Sequence, residues 1–192
     1  MKLVLASASP RRVELLGRLG VPFIVEPAHA EEWAIHPDGP AALVSHNAAM
    51  KAAAISGQFP DSWVLGSDTT VALGEKIYGK PTDLEDASRM LMKLAGKTHS
   101  VYTAVCLMHA DSNQSETFYD TAEVTFKPLS QREIHDYIQR VNPLDKAGAY
   151  GIQAHRERII AAVDGAVDTV MGLPLQALAE RLRKIGWRVQ DL

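Results

Sequence analysis

Leu3-Val4-Leu5-Ala6-Ser7-Ala8-Ser9-Pro10-Arg11-Arg12-Val13-Glu14-Leu15-Leu16-Gly17-Arg18-Leu19-Gly20 opens with a short apolar run, passes through a serine-rich junction and continues as an amphipathic stretch. Leu3 to Ala6 reads as a buried strand. Ser9 and Pro10 then supply an N-cap and a first-turn proline for a helix over Arg11 to Leu19, in which Val13, Leu15, Leu16 and Leu19 share one face. Gly20 closes it. A secretion signal would need an apolar core of about 7 to 15 residues, so the strand reading is the better one despite the Ala6-Ser7-Ala8 step. A strand feeding directly into a helix is the start of an α/β unit, and the rest of the chain continues the alternation.

Outward from this unit, Pro22 to Val25 is extended, Pro27 to Pro40 is a loop rich in charge and histidine, and Ala41 to Ser56 is an alanine-rich helix closed by Gly57. Trp63 to Gly66 reads as a second buried strand leading into Ser67-Asp68-Thr69-Thr70. Gly74, Gly79 and Pro81 mark turns around a short hairpin. Thr82-x-x-Glu85 and Ser130-x-x-Glu133 are capping-box patterns, the first opening a helix over Leu84 to Leu94 that Gly96 ends, the second a helix to Arg140. Between them, residues 99–108 and 116–127 read as a long hairpin with its turn at Asp111-Ser112-Asn113. Arg158 to Val163 reads as a strand, Pro174 to Ile185 as an amphipathic helix and the tail as a short strand. No linker divides the chain, so residues 1–192 are expected to form one domain.

The 192 residues carry 20 Lys+Arg against 23 Asp+Glu, a net charge of −3, with 46% hydrophobic and 22% charged residues. That composition suits a globular chain and gives no overall basic field for long nucleic acid. An arginine cluster of Arg11, Arg12, Arg156 and Arg158 does not outweigh it. No run of 18 apolar residues suggests a membrane span. One cysteine, Cys106, excludes an internal disulfide and a multi-cysteine zinc site, and points to a reducing, cytoplasmic setting. Cys106 lies in an apolar strand and reads as core.

Several short segments carry chemistry. Ser7, Ser9, Arg11 and Arg12 stand at a strand-to-helix junction, where free N–H groups and the helix dipole favour anions. Asp68 follows an apolar strand, at the end where ligands collect in α/β sheets, and could hold a metal or take a proton from water; an Asx-turn is the plainer alternative. Gly74 to Lys80 matches the first seven positions of a Walker A loop, but Pro81 stands where the Ser/Thr hydroxyl belongs, so the P-loop reading fails. Lys80 remains a candidate phosphate ligand. Lys51 lies on the alanine-rich helix and must reach solvent or an anion. Glu31 and Glu32 offer loop carboxylates. Asp145 to Gln153 contains two glycines that permit close backbone approach, and the Gln153 amide can read a base edge.

In order, Leu5 to Arg12, Lys51-Ala52, Gly66 to Thr69, Gly79-Lys80-Pro81, Asp145 to Gln153 and Gly172-Leu173-Pro174-Leu175 resemble the Maf family of nucleoside triphosphate pyrophosphatases over nearly the whole chain. The resemblance implies an α/β fold related to the inosine triphosphatase (Maf/Ham) group, with an elongated mixed sheet flanked by helices and two lobes around a deep cleft. It implies hydrolysis of a nucleoside triphosphate to monophosphate and pyrophosphate with a divalent cation, Mg or Mn. Asp68 matches the catalytic carboxylate, and Asp68 with Glu32 the metal ligands. Ser7, Arg12, Lys51 and Lys80 match triphosphate-binding positions. Arg11, Thr69 and Gln153 stand where substrate subgroups differ and look like the subgroup acting on dTTP and UTP, modified pyrimidine nucleotides included. The implied role is cleaning of the nucleotide pool, with a connection to cell-division arrest.

Ala154 to Arg158 replaces a glycine-containing turn common after the glutamine, which bears on the shape of the base pocket. The alternatives are the same reaction on 7-methyl-GTP or another purine triphosphate, and a non-catalytic nucleotide-binding regulator of septum formation. The expected partner is the nucleoside triphosphate, with no long nucleic acid and no membrane; the resemblance allows a homodimer.

Overall fold

A computed structural model of the chain describes residues 2–190. Its strands are β1 (Leu3–Leu5), β2 (Phe23–Val25), β3 (Trp63–Leu73), β4 (Lys76–Tyr78), β5 (Thr98–His109), β6 (Gln114–Phe126) and β7 (Ile160–Asp164). The helices are α1 (Pro10–Gly17), α2 (Pro40–Ser56), α3 (Leu84–Leu94), α4 (Gln131–Ile138), α5 (Arg156–Ile159), α6 (Val167–Met171) and α7 (Leu175–Lys184). The strands form one mixed seven-stranded sheet in the order β2-β1-β3-β5-β6-β7, with β4 paired to β3. Among the described residues no helix is long and apolar enough to cross a membrane.

The residues divide into two compact units, each assembled from separate stretches. The first contains the described residues up to Asp68, Thr103–Asp120 and those from Gly172 on; the second contains Thr69–Tyr102 and Thr121–Met171. In the first, β1 pairs in parallel with β2 on one side and β3 on the other, with Leu3, Val4 and Leu5 opposite Trp63, Val64 and Leu65. A strand flanked on both sides in a parallel arrangement is buried on both faces, which explains the unbroken Leu-Val-Leu run. Pro10 takes the first turn of α1 and Ser9 the N-cap position, although the Ser9 side chain makes no cap bond. Helix α2 lies directly on β3: a Cβ at Gly66 would come within 2.1 Å of the Ala48 carbonyl oxygen and 2.7 Å of the Ala52 nitrogen. Only glycine permits that approach, and the small residues of α2 face it for the same reason.

In the second unit, β3 turns into β4 through an antiparallel pairing of Val71–Leu73 with Lys76–Tyr78. Helix α4 has the expected capping box, with Ser130 Oγ accepting from the Glu133 N–H and the Glu133 carboxylate accepting from the Ser130 N–H. The box expected at Thr82 and Glu85 is not made. Asp83 is the N-cap of α3 and accepts from the Asp86 N–H at 2.7 Å, while the Thr82 N–H donates to Asp86. A carboxylate one residue later competes successfully for the same orphan N–H groups.

Three further expectations are corrected. Strand β3 does not stop at Gly66 but runs to Leu73, so Ser67 to Thr70 are part of a strand and not a loop after one. The strand expected from Arg158 begins at Ile160, after the short helix α5. The tail has no strand through Gln190; its backbone is tied by the Gln190 N–H to the Leu19 carbonyl at 3.0 Å. The last two residues lie outside the described part.

A buried histidine in the second unit should make stability pH-dependent. His99 is 1% exposed, lies 2.8 Å from the Tyr150 hydroxyl through Nε2, and packs edge-on against Phe126 and Tyr150. Burial pushes its pKa from 6.5 down to about 4. The unfolded chain therefore binds the proton first, so stability is fully present above pH 6.5 and drains as pH falls towards 4. Urea unfolding should show a loss of about 3 kcal/mol from this group across that window, and His99→Gln should flatten that part of the profile. An unchanged profile in the variant would remove His99 as the cause.

Candidate active site

Five of the expected residues meet in the first unit. At the end of β1 the Ala6 N–H donates to the Leu65 carbonyl at 2.8 Å, and the chain then turns through Ser7 and Ser9 into α1. Ser7 is 7% exposed; its Oγ accepts from the Ser9 N–H at 3.2 Å and from Arg12 Nη1 at 3.3 Å. Arg12 Nε donates to the Gly172 carbonyl at 2.9 Å, and the Ser67 hydroxyl donates to that same carbonyl at 3.0 Å. Gly172 thus ties the start of α1 to β3. The glycine was visible as part of a matching string, but a carbonyl has no signature in a one-dimensional pattern. Burial lowers the Arg12 pKa, opposed by the charges of Asp68 and Glu32, while Arg11 adds to the lowering. Arg12 therefore lies in the field of both carboxylates.

Asp68, on β3, is 7% exposed. Lys51, on α2, donates to its Oδ1 at 2.7 Å and also contacts Glu32 Oε2 at 3.0 Å and the Ser67 carbonyl at 3.4 Å. The question left by the sequence, whether Lys51 reaches solvent or an anion, is answered by this pairing: its side chain is 10% exposed and its ammonium stands between two carboxylates. Such a geometry gathers both acidic groups around one cationic position. Asp68 Oδ2 accepts from Asn47 Nδ2 at 3.1 Å. Asn47 was missed by the sequence reading, though a polar residue four positions before Lys51 lies on the same helical face and was the available signal.

Thr69, Lys80 and Gln153 belong to the second unit. Thr69 follows Asp68 on β3 and is partly exposed; Lys80 and Gln153 are exposed. The turn that presents Lys80 is pinned by the Gly148 N–H, which donates to the Gly79 carbonyl at 3.0 Å. Gly148 has φ +68°, the left-handed conformation that favours glycine, and a Cβ there would crowd the Val71 side chain at 3.0 Å. The same loop continues to Gln153 and is anchored by the Gly151 N–H to the Tyr137 hydroxyl at 3.2 Å and by the Tyr150–His99 contact. Burial raises the pKa of both tyrosines, so they act here as neutral hydrogen-bonding groups. Arg11, partly exposed on α1, remains in the first unit beside Arg12. Cys106 is buried core, as expected.

The donor set suits a hard divalent cation of the magnesium type. Such ions take one or two carboxylates and complete their shell with phosphate oxygens and water. Glu32 and Asp68 are two carboxylates brought together on the Lys51 ammonium, at 3.0 and 2.7 Å, and are the pair that could hold such an ion; among the described residues no group of three or more His, Cys, Asp or Glu converges into an all-protein cage.

A mixed sheet with helices and this arrangement of strands defines an α/β class shared with the Staphylococcus aureus Ham1 protein, whose structure superposes with a TM-score of 0.58 over 96% of this chain and 100% of that one at 14% identity. That likeness concerns the fold. Residues 2–185 match the family described as Maf-like protein, and the chain belongs to that family. It is 41% identical over 188 residues to the dTTP/UTP pyrophosphatase of Symbiobacterium thermophilum, covering 98% of this chain and 96% of that protein. It is 43% identical over 190 residues to the dTTP/UTP pyrophosphatase of Myxococcus xanthus, covering 97% and 95%. The Moorella thermoacetica protein of the same name is 43% identical over 185 residues, with 96% and 95% covered.

Proposed function

We propose that this chain hydrolyses nucleoside triphosphates between the α and β phosphates, taking dTTP and UTP and releasing the monophosphate and pyrophosphate. The observation that carries the reading is the buried Asp68 carboxylate, held by Lys51 at 2.7 Å and Asn47 at 3.1 Å beside Ser7 and Arg12. The relatives named dTTP/UTP pyrophosphatase support the substrate class. Each Asp68 oxygen is engaged by one donor, which leaves lone-pair capacity to take the proton of an attacking water. Ser7, Arg12, Lys51 and Lys80 would bind and neutralise the triphosphate, which is most of what phosphoryl transfer asks of a protein. Glu32 and Asp68 would hold Mg or Mn, which when bound supplies charge neutralisation to the departing pyrophosphate.

Arg11, Thr69 and Gln153 would select the base, the Gln153 amide pairing with a pyrimidine edge that presents two carbonyls around one N–H. A single buried cysteine suits a cytoplasmic enzyme. The exposed Ile24 and Val25 on edge strand β2 are consistent with a homodimer.

The test is release of pyrophosphate and monophosphate from eight common nucleoside triphosphates and 7-methyl-GTP, with magnesium, manganese or chelator. Turnover concentrated on dTTP and UTP and abolished by chelator is the expected result. Turnover centred on purines or 7-methyl-GTP overturns the base assignment, and tight binding without monophosphate overturns hydrolysis in favour of a regulator.

A further inference from the structure

We infer that Asn47 is a positioning residue for the proposed reaction, clamping the loop that carries Glu32 onto Asp68. The inference rests on the reading of Glu32 and Asp68 just given. Asn47 is 2% exposed and stands on α2 one turn before Lys51, so both side chains leave the same face of the helix. Its Oδ1 accepts from the Trp33 N–H at 2.9 Å, and its Nδ2 donates to the Trp33 carbonyl at 3.0 Å and to Asp68 Oδ2 at 3.1 Å. An amide has two N–H donors, and both are spent here. The orientation is determined by the partners, since the flipped amide would set its oxygen against a carbonyl and a carboxylate.

Trp33 immediately follows Glu32 in a loop that has no sheet or helix partner for its backbone. Asn47 satisfies both backbone groups of Trp33 in the manner of a neighbouring strand, and so fixes the chain at the residue next to Glu32. Without that clamp, Glu32 would be placed by its own side chain, which is 42% exposed and reaches Lys51 at 3.0 Å, and by the packing of the Trp33 ring on His46 of α2, centroids 4.0 Å apart, neither of which fixes the backbone hydrogen-bonding groups. Lys51 and Asn47 therefore divide the work. Lys51 grips the Glu32 carboxylate and Asp68 Oδ1; Asn47 grips the backbone beside Glu32 and Asp68 Oδ2. One helical face aligns two carboxylates that come from a loop and a strand.

The test uses Asn47→Leu, which keeps the branched heavy-atom skeleton but makes no hydrogen bonds, and Asn47→Ala as a second variant should the bulkier leucine fail to fold. With dTTP and UTP, kcat should fall about 10–100-fold while KM moves less than about threefold, as when a group supporting a ligand is removed. In a Glu32→Gln background the same substitution should cost less than about threefold, because the group it positions is already altered. A readout independent of turnover is the fluorescence anisotropy of Trp33 in metal-free protein carrying Trp63→Phe and Trp187→Phe. It should drop when Asn47 is replaced. A kcat within twofold of the parent, full additivity with Glu32→Gln, or unchanged Trp33 anisotropy overturns the inference. Inactivity of the parent protein on every triphosphate would instead overturn the proposed function, and the anisotropy would still decide whether Asn47 holds the loop.

Discussion

Asp68→Asn is expected to lower turnover of dTTP and UTP by about 10²–10⁴-fold, the range lost when a positioned general base is removed. The amide keeps the shape and can still accept a hydrogen bond from Asn47, but it cannot take a proton and brings no charge to a cation. Folding should survive, because Lys51 retains Glu32 at 3.0 Å and is not left as an uncompensated buried ammonium. Pyrophosphate release and calorimetric melting, measured on the same preparation, separate the two effects. A variant that turns over within tenfold of the parent would remove Asp68 as the proton acceptor.

Lys51→Met should act on both stability and activity. Asp68 is 10% exposed at its side chain and is ion-paired to Lys51 at 2.7 Å, so the substitution leaves a buried carboxylate with its hydrogen bond from Asn47 and only the field of Arg12 in place of a direct ion pair. Breaking one side of a buried ion pair costs about 3–5 kcal/mol. Urea unfolding in chelator should show a loss of that order. The double variant Lys51→Met with Asp68→Asn should recover most of it, since the buried carboxylate is gone and the Glu32 carboxylate, 42% exposed, is solvated, and should stay inactive. A single variant within about 1 kcal/mol of the parent would mean that the pair contributes little in solution. Activity should also fall, because Lys51 is the cation that the fold delivers directly beside Asp68.

The sites of these two substitutions were legible in different degrees. Lys51 stood out because a charged residue on an alanine-rich helix is costly without a partner, and Asp68 because a carboxylate follows an apolar strand. The partner of each was not legible: a pairing across 17 residues depends on how α2 crosses β3. That crossing is set by Gly66, whose missing side chain lets Ala48 and Ala52 meet the strand backbone. The glycine was part of a matching string, but close approach is a property of two surfaces. Asn47 escaped notice for the same reason, since an isolated asparagine in a helix has many roles and only its three contacts select one.

Local patterns decided most of the elements. The Leu-Val-Leu strand, the proline-started α1, the α2 and α7 helices, the β5–β6 hairpin and the Ser130–Glu133 capping box follow from periodicity and turn chemistry, which act over a few residues. Where two local signals competed, the pattern misled: Asp83 and Asp86 displaced the Thr82–Glu85 box, and polar Ser67 to Thr70 looked like a loop although β3 continues through them. Pairing and packing, which are non-local, settled both. By itself the sequence determined the α/β class, the family and the residue types available for phosphate and metal chemistry. Only the tertiary structure decided which of them meet: Ser7, Arg12, Glu32, Lys51 and Asp68 come from β1's end, α1, a loop, α2 and β3, and hydrogen bonds of about 3 Å between such distant stretches exist only once the backbone has folded to place them.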